Sequence, residues 1–229
     1  MIELNKKNTN PQQYLKDEIR SIQKDLQKCM TKETTNAVTK FLENGGQFTE
    51  PLNYINYKGR KYKVLCQKEK QGDKCISNPL FLESINKEFT EYTKTKIDNC
   101  LNLNKYQNQY YTLEKGKESA LNITIKTKEI FVDYYYDLKL VKDENSESLK
   151  ENNVRIEIPL GDLIKETNLV LYDRAVIGRI DSLSYGLLSF NKYFVILNKP
   201  YPDEVYDISL VNYPAYHFYF SVQGNGRFA

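Results

Sequence analysis

The sequence predicts an α+β fold, in which an antiparallel β-sheet is packed by long N-terminal, middle and C-terminal-half helices and braced by disulfides. Three observations predict it: apolar residues recur at helical spacing before residue 101, the period changes to two from residue 106, and four cysteines occupy positions that suit pairing. With 229 residues and 40% hydrophobic content, the chain can bury a substantial core. We therefore expect disulfides to reinforce this core rather than replace it.

The helical patterns fall in three segments. Segment 11–43 begins at Pro11 and ends at the stop signal Asn44-Gly45-Gly46, which predicts one long helix or two shorter ones. A second helix is predicted over 79–100. A third follows Pro159, and its inner face is predicted to be the stripe Leu169, Tyr172, Val176, Ile180 and Leu183.

The strand patterns alternate apolar and polar residues, as half-buried antiparallel strands do. Residues 53–77 are typical of a hairpin, and further strands are predicted at 110–113, 120–127, 130–141, 154–158, 193–197, 205–211 and 216–222. Lys142 to Asn153 is polar and is predicted to be a solvated loop. We interpret 1–10 as a polar leader and 11–229 as a single domain, with halves 11–105 and 106–229 as the alternative.

The four cysteines carry the clearest functional signal. Cys66 and Cys75 flank a polar loop with a Gly-Asp turn, which can bring their Cα atoms within disulfide distance. Cys29 and Cys100 each lie near the apolar face of a predicted helix, so their thiols meet if the two helices pack together. Two disulfides imply an oxidising compartment. The alternatives are four buried reduced thiols or, less well supported without a C-x2-4-C pair, a zinc site.

An extracellular or cell-surface location requires export. Met1 to Asn10 is polar and the sequence has no run of eighteen apolar residues, so neither a signal peptide nor a transmembrane helix is recognised. We therefore hypothesise that Met1 replaces a removed signal or anchor segment, which would be the only attachment to a membrane. A hydrophobic segment upstream in the full-length gene would test this.

The high tyrosine content is compatible with a recognition surface, although tyrosine as a core residue is the favoured interpretation. The chain has 19 Tyr, 10 Phe and no Trp, and exposed tyrosines suit binding of a protein or a glycan. The candidate surface residues lie on predicted strands: Tyr134, Tyr136, Tyr216 and Tyr219. Asn122-Ile123-Thr124 is a glycosylation sequon, which matters only in an exported chain.

No catalytic residue, cofactor or metal site is predicted. The chain has one histidine, His217, and lacks C-x2-C, G-x-S-x-G and P-loop motifs, which disfavours hydrolase, metalloenzyme and nucleotidase functions. The basic turn Lys58 to Lys63 could touch phosphates but is more typical of a solvated turn. Because 33 basic and 30 acidic residues are interspersed, nucleic acid is not an expected partner.

Several segments carry a resemblance to a known family. They are Gln27-Lys28-Cys29-Met30, Phe41 to Gly46, the segment that ends at Asp98-Asn99-Cys100-Leu101, and Tyr216 to Gln223. Together they resemble membrane-anchored extracellular proteins of small-genome archaea of the DPANN type, over nearly the whole chain. That family has no assigned activity, so the resemblance implies a location rather than a chemistry. This chain departs from it by lacking the anchor and by having the Cys66/Cys75 pair.

These observations favour a non-enzymatic cell-surface ectodomain that acts in adhesion, cell contact or assembly of a surface structure. Its expected partner is a protein or glycan on a cell surface, or copies of itself. One alternative is a pilin-like filament subunit whose hydrophobic N-terminal helix has been removed. The other is an extracellular small-ligand sensor module, because helices around an antiparallel sheet can enclose a pocket.

Overall fold

The computed structural model describes residues 10–68, 75–100, 106, 110–178 and 192–224. Its helices are α1 (Pro11–Glu43), α2 (Leu82–Cys100) and α3 (Leu160–Val176). Its strands are β1 (Tyr54–Tyr57), β2 (Arg60–Lys68), β3 (Cys75–Ser77), β4 (Thr112–Ile125), β5 (Ile130–Lys142), β6 (Asn145–Ile156), β7 (Tyr193–Asn198), β8 (Glu204–Leu210) and β9 (Tyr213–Val222). The predicted α+β class is confirmed.

The chain divides into two compact units, each built from separate segments. Unit 1 consists of Met1–Thr35, Asn86–Thr124 and Ile130–Ile156. Unit 2 consists of Asn36–Ile85, Ile125–Glu129 and Glu157–Ala229. The contiguous halves 11–105 and 106–229 are therefore not the compact units, because each unit takes residues from both sides of residue 105.

The sequence predicted one long helix or two shorter ones over 11–43, and α1 is one continuous helix. The Asn10 side chain accepts a hydrogen bond from the Gln12 backbone N–H (3.1 Å), and Pro11 occupies the first helical position, where its missing N–H costs nothing. At the other end the Gly46 N–H bonds the Phe41 carbonyl (2.9 Å). Gly45 and Gly46 both have positive φ (65° and 87°), which lets the chain leave the helix without strain.

Unit 1 contains a three-stranded sheet in the order β4-β5-β6. Alternate residues of β5 are buried, as the period-two pattern requires: Val132, Tyr134, Tyr136, Leu138 and Leu140. The helices of the unit contact this sheet, because Asn152 of β6 donates to the Gln23 carbonyl of α1 (3.0 Å) and Tyr134 of β5 donates to Asp98 of α2 (2.7 Å).

The predicted solvated loop from Lys142 to Asn153 is wrong. Strand β6 begins at Asn145, and Lys142 pairs with it directly across a two-residue turn. Asp143 in that turn has a φ of 56°, a conformation that aspartate tolerates better than most residues. The sequence hid this hairpin because the turn has no glycine and β6 is largely polar.

Unit 2 contains a sheet in the order β1-β2-β9-β8-β7, with β3 added to β2. The pairs are antiparallel except β2 with β9, which run parallel, so the sheet is mixed rather than purely antiparallel as predicted. One face of it is covered by helical residues of the same unit. Phe41 of α1 lies edge-on to Phe218 (6.3 Å between ring centroids), and Arg174 of α3 pairs with Glu204 (2.7 Å).

The predicted inner face of α3 is also wrong. The helix buries a different stripe, which includes Leu163, Ile164, Val170 and Leu171. Its predicted inner residues Leu169, Tyr172 and Val176 are exposed, and Ile180 and Leu183 lie outside the described residues. Because α3 is apolar on more than one side, spacing alone did not decide which side faces the sheet.

Candidate functional site

Both predicted disulfides are present. Cys29 of α1 is bonded to Cys100 at the end of α2, with 5.8 Å between their Cα atoms, and this bond lies within unit 1. Cys66 and Cys75 are bonded across β2 and β3 in unit 2, with 5.4 Å between Cα atoms. All four cysteines are thus paired. The pairing indicates an oxidising, extracellular-type environment.

Two of the four candidate surface tyrosines are core residues. Tyr134 is fully buried and Tyr136 is 3% exposed, so the expectation that they form a binding surface is wrong. The Tyr134 hydroxyl donates to Asp98, which also accepts from Ser119 (2.7 Å). Burial raises the pKa of Asp98, but these two hydrogen bonds together with the neighbouring Lys94 ammonium group outweigh it, and the pKa lies below its ordinary value. Tyr135, between the two on β5, is the exposed member of the run.

Tyr219 lies on the face of the unit 2 sheet opposite to Phe218. Strand register places it in a cross-strand row with Asp207 of β8 and Ile196 of β7. The adjacent row holds His217, Ser209 and Phe194. The Tyr62 ring of β2 meets the Tyr219 ring edge-on at 6.0 Å between centroids.

We call this set the aromatic face: Tyr57, Arg60, Tyr62, Phe194, Ile196, His217 and Tyr219. Phe194 and Ile196 are 56% and 51% exposed, although Phe218 on the opposite side of the sheet is fully buried. Single exposed apolar side chains are common on protein surfaces, but a group of them on one strand indicates an interaction site. Tyr216 is half-buried and shares a small recess of about 70 Å³ with His217 and Tyr219.

Cations of the β1–β2 hairpin lie over tyrosine rings. The Arg60 guanidinium carbon is 3.7 Å from the centroid of the Tyr219 ring, a stacked arrangement that fixes both groups. Lys58 lies 5.2 Å from the Tyr57 centroid and Lys61 5.0 Å from the Tyr54 centroid. Burial raises the pKa of Tyr219, so its hydroxyl stays protonated at neutral pH. The basic turn is therefore a cation-aromatic surface rather than a purely solvated one.

His217 is held on both sides of its ring. Nδ1 lies 2.7 Å from an Asp207 carboxylate oxygen and Nε2 lies 2.9 Å from the Pro214 carbonyl oxygen. The ring also stacks on Tyr219, with 5.8 Å between centroids. Since both nitrogens already have partners, the imidazole is a structural part of the aromatic face and is poorly placed to act as a general base.

A buried acidic cluster lies elsewhere in unit 2, on the first turns of α3. One Asp162 carboxylate oxygen accepts from Lys192 (3.1 Å), while its other oxygen is buried without a hydrogen-bond partner among the described residues. Burial raises the pKa of the neighbouring Glu166 to about 7. Because both side chains are buried in the first turns of α3, we interpret the cluster as a determinant of stability.

Asn122 of the predicted sequon is exposed on β4, an edge strand of the unit 1 sheet. This is the outward edge position that modification of a strand residue needs. Whether it carries a glycan is not tested by the structure, and it stays a prediction.

Within residues 10–68, 75–100, 106, 110–178 and 192–224, no group of three His, Cys, Asp or Glu side chains is arranged to hold a metal ion. Over the same residues, no helix combines the length and hydrophobicity needed to span a bilayer.

The fold and its covalent pairing define a class: an α+β protein with two disulfides and an open, aromatic sheet face. Comparison with protein-family models, with curated proteins and with solved structures gave no match.

Sequence reasoning missed most of the aromatic face. It selected Tyr219, and it named the basic turn that contains Arg60 and Tyr62, but it did not select Tyr57, Phe194 or Ile196. A signal was present, because Phe194 and Ile196 share the parity of Asn198 within β7, whereas Tyr193 and Val195 face the other way. Without the register of β7, β8 and β9, nothing indicated which parity faced water.

Proposed function

We propose that this protein is a non-enzymatic extracellular recognition module whose aromatic face binds a protein or glycan on a cell surface, in adhesion, cell contact or assembly of a surface structure. The observation that carries the proposal is the pair of exposed apolar side chains, Phe194 and Ile196, in register with Tyr219 and His217 on the side of the sheet opposite to Phe218. Apolar groups kept in water at this position gain free energy when a partner covers them.

The composition of the aromatic face supports recognition. Aromatic residues and arginine are enriched at the cores of protein interfaces, and tyrosine also suits sugar rings because it has both a flat apolar face and a hydroxyl. The stack of Arg60 on Tyr219 holds both side chains in place before a partner arrives. Such preorganisation reduces the conformational entropy lost on binding.

The environment supports an extracellular site of action. Both disulfides are of the kind that persists in oxidising compartments. The sequence also resembles membrane-anchored surface proteins of small-genome archaea, and we include membership of that group, with attachment through an upstream segment, in the proposal.

A binding experiment on intact cells tests the proposal. We would label the purified, disulfide-intact protein and measure its saturable binding to cells of the source organism. The double substitution Phe194→Ser and Ile196→Ser removes the exposed apolar group from the aromatic face and should reduce binding at least tenfold. The matched control is Leu52→Ser, which alters a fully exposed apolar residue of the same unit away from this face and should leave binding unchanged.

Two results would contradict the proposal. One is a correctly folded protein that shows no saturable binding to cells and no association with itself in analytical ultracentrifugation. The other is binding that the double substitution leaves intact. If the folded protein binds no cell surface but converts a metabolite, an enzymatic function replaces the proposed one.

A further inference from the structure

Unit 2 contains a second surface feature, a groove of about 580 Å³ along α3. Its floor is formed by Leu80, Gly161 and Ile164, and Thr127 and Asn168 complete its lining. Its walls are the side chains of Phe81, Leu82, Leu169 and Tyr172, with Lys165 at the rim. We call this feature the α3 groove. Its volume falls in the range of small-ligand sites, roughly 300 to 1,000 Å³.

The walls are apolar but exposed to water. Phe81 and Tyr172 are 65% and 61% exposed, and Leu169 is 44% exposed. Leu169 and Tyr172 belong to the stripe whose spacing predicted a buried face. Residues whose sequence pattern predicts burial but which the structure shows exposed are candidates for a functional site.

The α3 groove is held open by hydrogen bonds rather than by its apolar walls. The Asn168 side chain accepts from the Leu80 backbone N–H and donates to the Leu80 carbonyl, both at 2.8 Å. On the other side, the Asp162 N–H donates to the Thr127 carbonyl at 2.9 Å. Gly161 allows this close approach, because a Cβ there would lie 2.4 Å from the Lys126 carbonyl oxygen. The groove therefore exists before a ligand enters it.

The charge of the lining points to the ligand. Lys165 is exposed, and among the described residues that line the groove it alone carries a charge at neutral pH. The Asn168 side chain is neutral, and its oxygen and nitrogen each bond the Leu80 backbone. A long apolar surface with one cation at its edge complements a molecule that has an aliphatic chain and one negative charge.

We propose that the α3 groove binds the aliphatic chain of a long-chain carboxylate, with the carboxylate at the Lys165 ammonium group. A single lysine matches the single charge of a carboxylate better than the larger charge of a phosphate ester. Four wall side chains are also far fewer than the roughly 20 to 30 residues a side of a stable protein interface, which favours a small ligand over a docked protein.

Isothermal titration calorimetry with octanoate, decanoate and dodecanoate tests the site on the intact protein. Affinity should rise by roughly two- to fourfold for each added methylene, because each one removes more apolar surface from water. Dodecylammonium should bind at least tenfold more weakly than dodecanoate, because its charge opposes that of Lys165. Dodecyl phosphate should bind no more tightly than dodecanoate.

Two substitutions assign the binding to this groove. Leu169→Ser should lower dodecanoate affinity about tenfold, and Lys165→Gln about three- to fivefold, the range that an exposed ion pair supports. Both residues are exposed, so the variants should keep the thermal unfolding midpoint of the parent. Phe194→Ser, on the aromatic face, is the matched control and should leave dodecanoate affinity unchanged.

The proposal is overturned if dodecanoate gives no saturable heat up to about 1 mM, or if Leu169→Ser binds it as the parent does. Equal affinities for dodecanoate and dodecylammonium would also overturn it, because Lys165 would then select nothing. A fall in affinity with Phe194→Ser would place the ligand on the aromatic face instead. Since cell binding depends on Phe194 and groove binding on Leu169, either function can fail without the other.

Discussion

Two pairs of tyrosines, one pair in each unit, occupy opposite environments. In unit 1, Tyr134 and Tyr136 face the interior, and the Tyr134 hydroxyl completes a hydrogen-bond network around the partly exposed Asp98. In unit 2, Tyr62 and Tyr219 stay half-exposed on a sheet face where exposed apolar side chains and stacked cations accompany them. Tyrosine content alone therefore does not identify a binding surface. The side of the sheet on which each ring stands decides its role.

The two disulfides also differ between the units, in the length of chain that each bond closes. The unit 1 bond joins residues 71 apart in sequence, whereas the unit 2 bond joins residues 9 apart. A crosslink between distant positions restricts the unfolded chain more than a local one. Unit 1 is thus crosslinked across its helices, while in unit 2 the bond secures only the β2–β3 edge of the sheet.

The largest expected effect comes from removing each disulfide in turn. In the chain-entropy account, Cys29→Ser with Cys100→Ser should lower the free energy of unfolding by about 4 kcal/mol, and Cys66→Ser with Cys75→Ser by about 2.5 kcal/mol. Urea unfolding followed by circular dichroism measures both. Equal losses in the two double variants would contradict the contrast between the long and the short crosslink.

The second-largest effect is expected at the buried Tyr134, whose hydroxyl donates to Asp98. Tyr134→Phe removes the hydroxyl that donates to Asp98 and should cost about 2 kcal/mol, because a buried tyrosine loses its hydrogen bond to a carboxylate. Tyr135→Phe, at the exposed neighbour, should change stability by less than about 0.5 kcal/mol. Similar losses for both variants in urea unfolding would mean that the assignment of inside and outside on β5 is wrong.

A smaller effect should appear in the pH dependence of stability. Burial raises the pKa of Glu166 from 4.5 to about 7, so the folded state holds a proton that the unfolded state has released. The stability of unit 2 should therefore fall as pH rises from about 5 to about 7, on the order of 1 kcal/mol, and level off above that. Thermal unfolding at a series of pH values measures this slope.

Glu166→Gln should remove that slope, while Glu157→Gln, at an exposed carboxylate of the same unit, should keep it. The hydrogen-bonded Asp98 of unit 1 has a lowered pKa, and its effect has the opposite sign and belongs to more acidic pH. A slope that persists in Glu166→Gln would mean that another group titrates in this window.

The smallest effect is expected at the stacked cation. Arg60→Lys keeps the charge but removes the planar group that lies on the Tyr219 ring, and should lower the free energy of unfolding by less than about 1 kcal/mol. In the same variant, the loss of cell-binding free energy should exceed the loss of unfolding free energy, because the stack preorganises the aromatic face. Loss of stability without loss of binding would assign the stack a purely structural role.

Sequence patterns correctly predicted the elements whose structure depends mainly on neighbouring residues. Segment 11–43 formed one helix because its apolar stripe, its initial proline and its terminal glycines all indicate the same boundaries. The disulfides were predictable for a similar reason: Cys29 and Cys100 lie on helical faces, and Cys66 and Cys75 flank a turn. The helix and the Cys66–Cys75 loop depend on neighbouring residues, whereas the Cys29–Cys100 pairing also required the two helices to pack together.

The candidate site depended on non-local information. Strand β7 is separated in sequence from β2, and the row from Ile196 to Tyr219 exists only once β7, β8 and β9 are in register. A shift of one residue would reverse the faces of a whole strand. The same limit explains the errors at Tyr134 and Tyr136, whose parity on β5 is fixed by pairing with β6 and by packing against the helices of unit 1.

The central claim is that this protein works outside the reducing interior of the cell, braced by two disulfides. Protein isolated from its native cells, treated with a thiol-alkylating reagent without prior reduction, tests this by intact mass. The account predicts that none of the four cysteines is alkylated until a reductant is added. Alkylation of all four on folded, unreduced protein would contradict it.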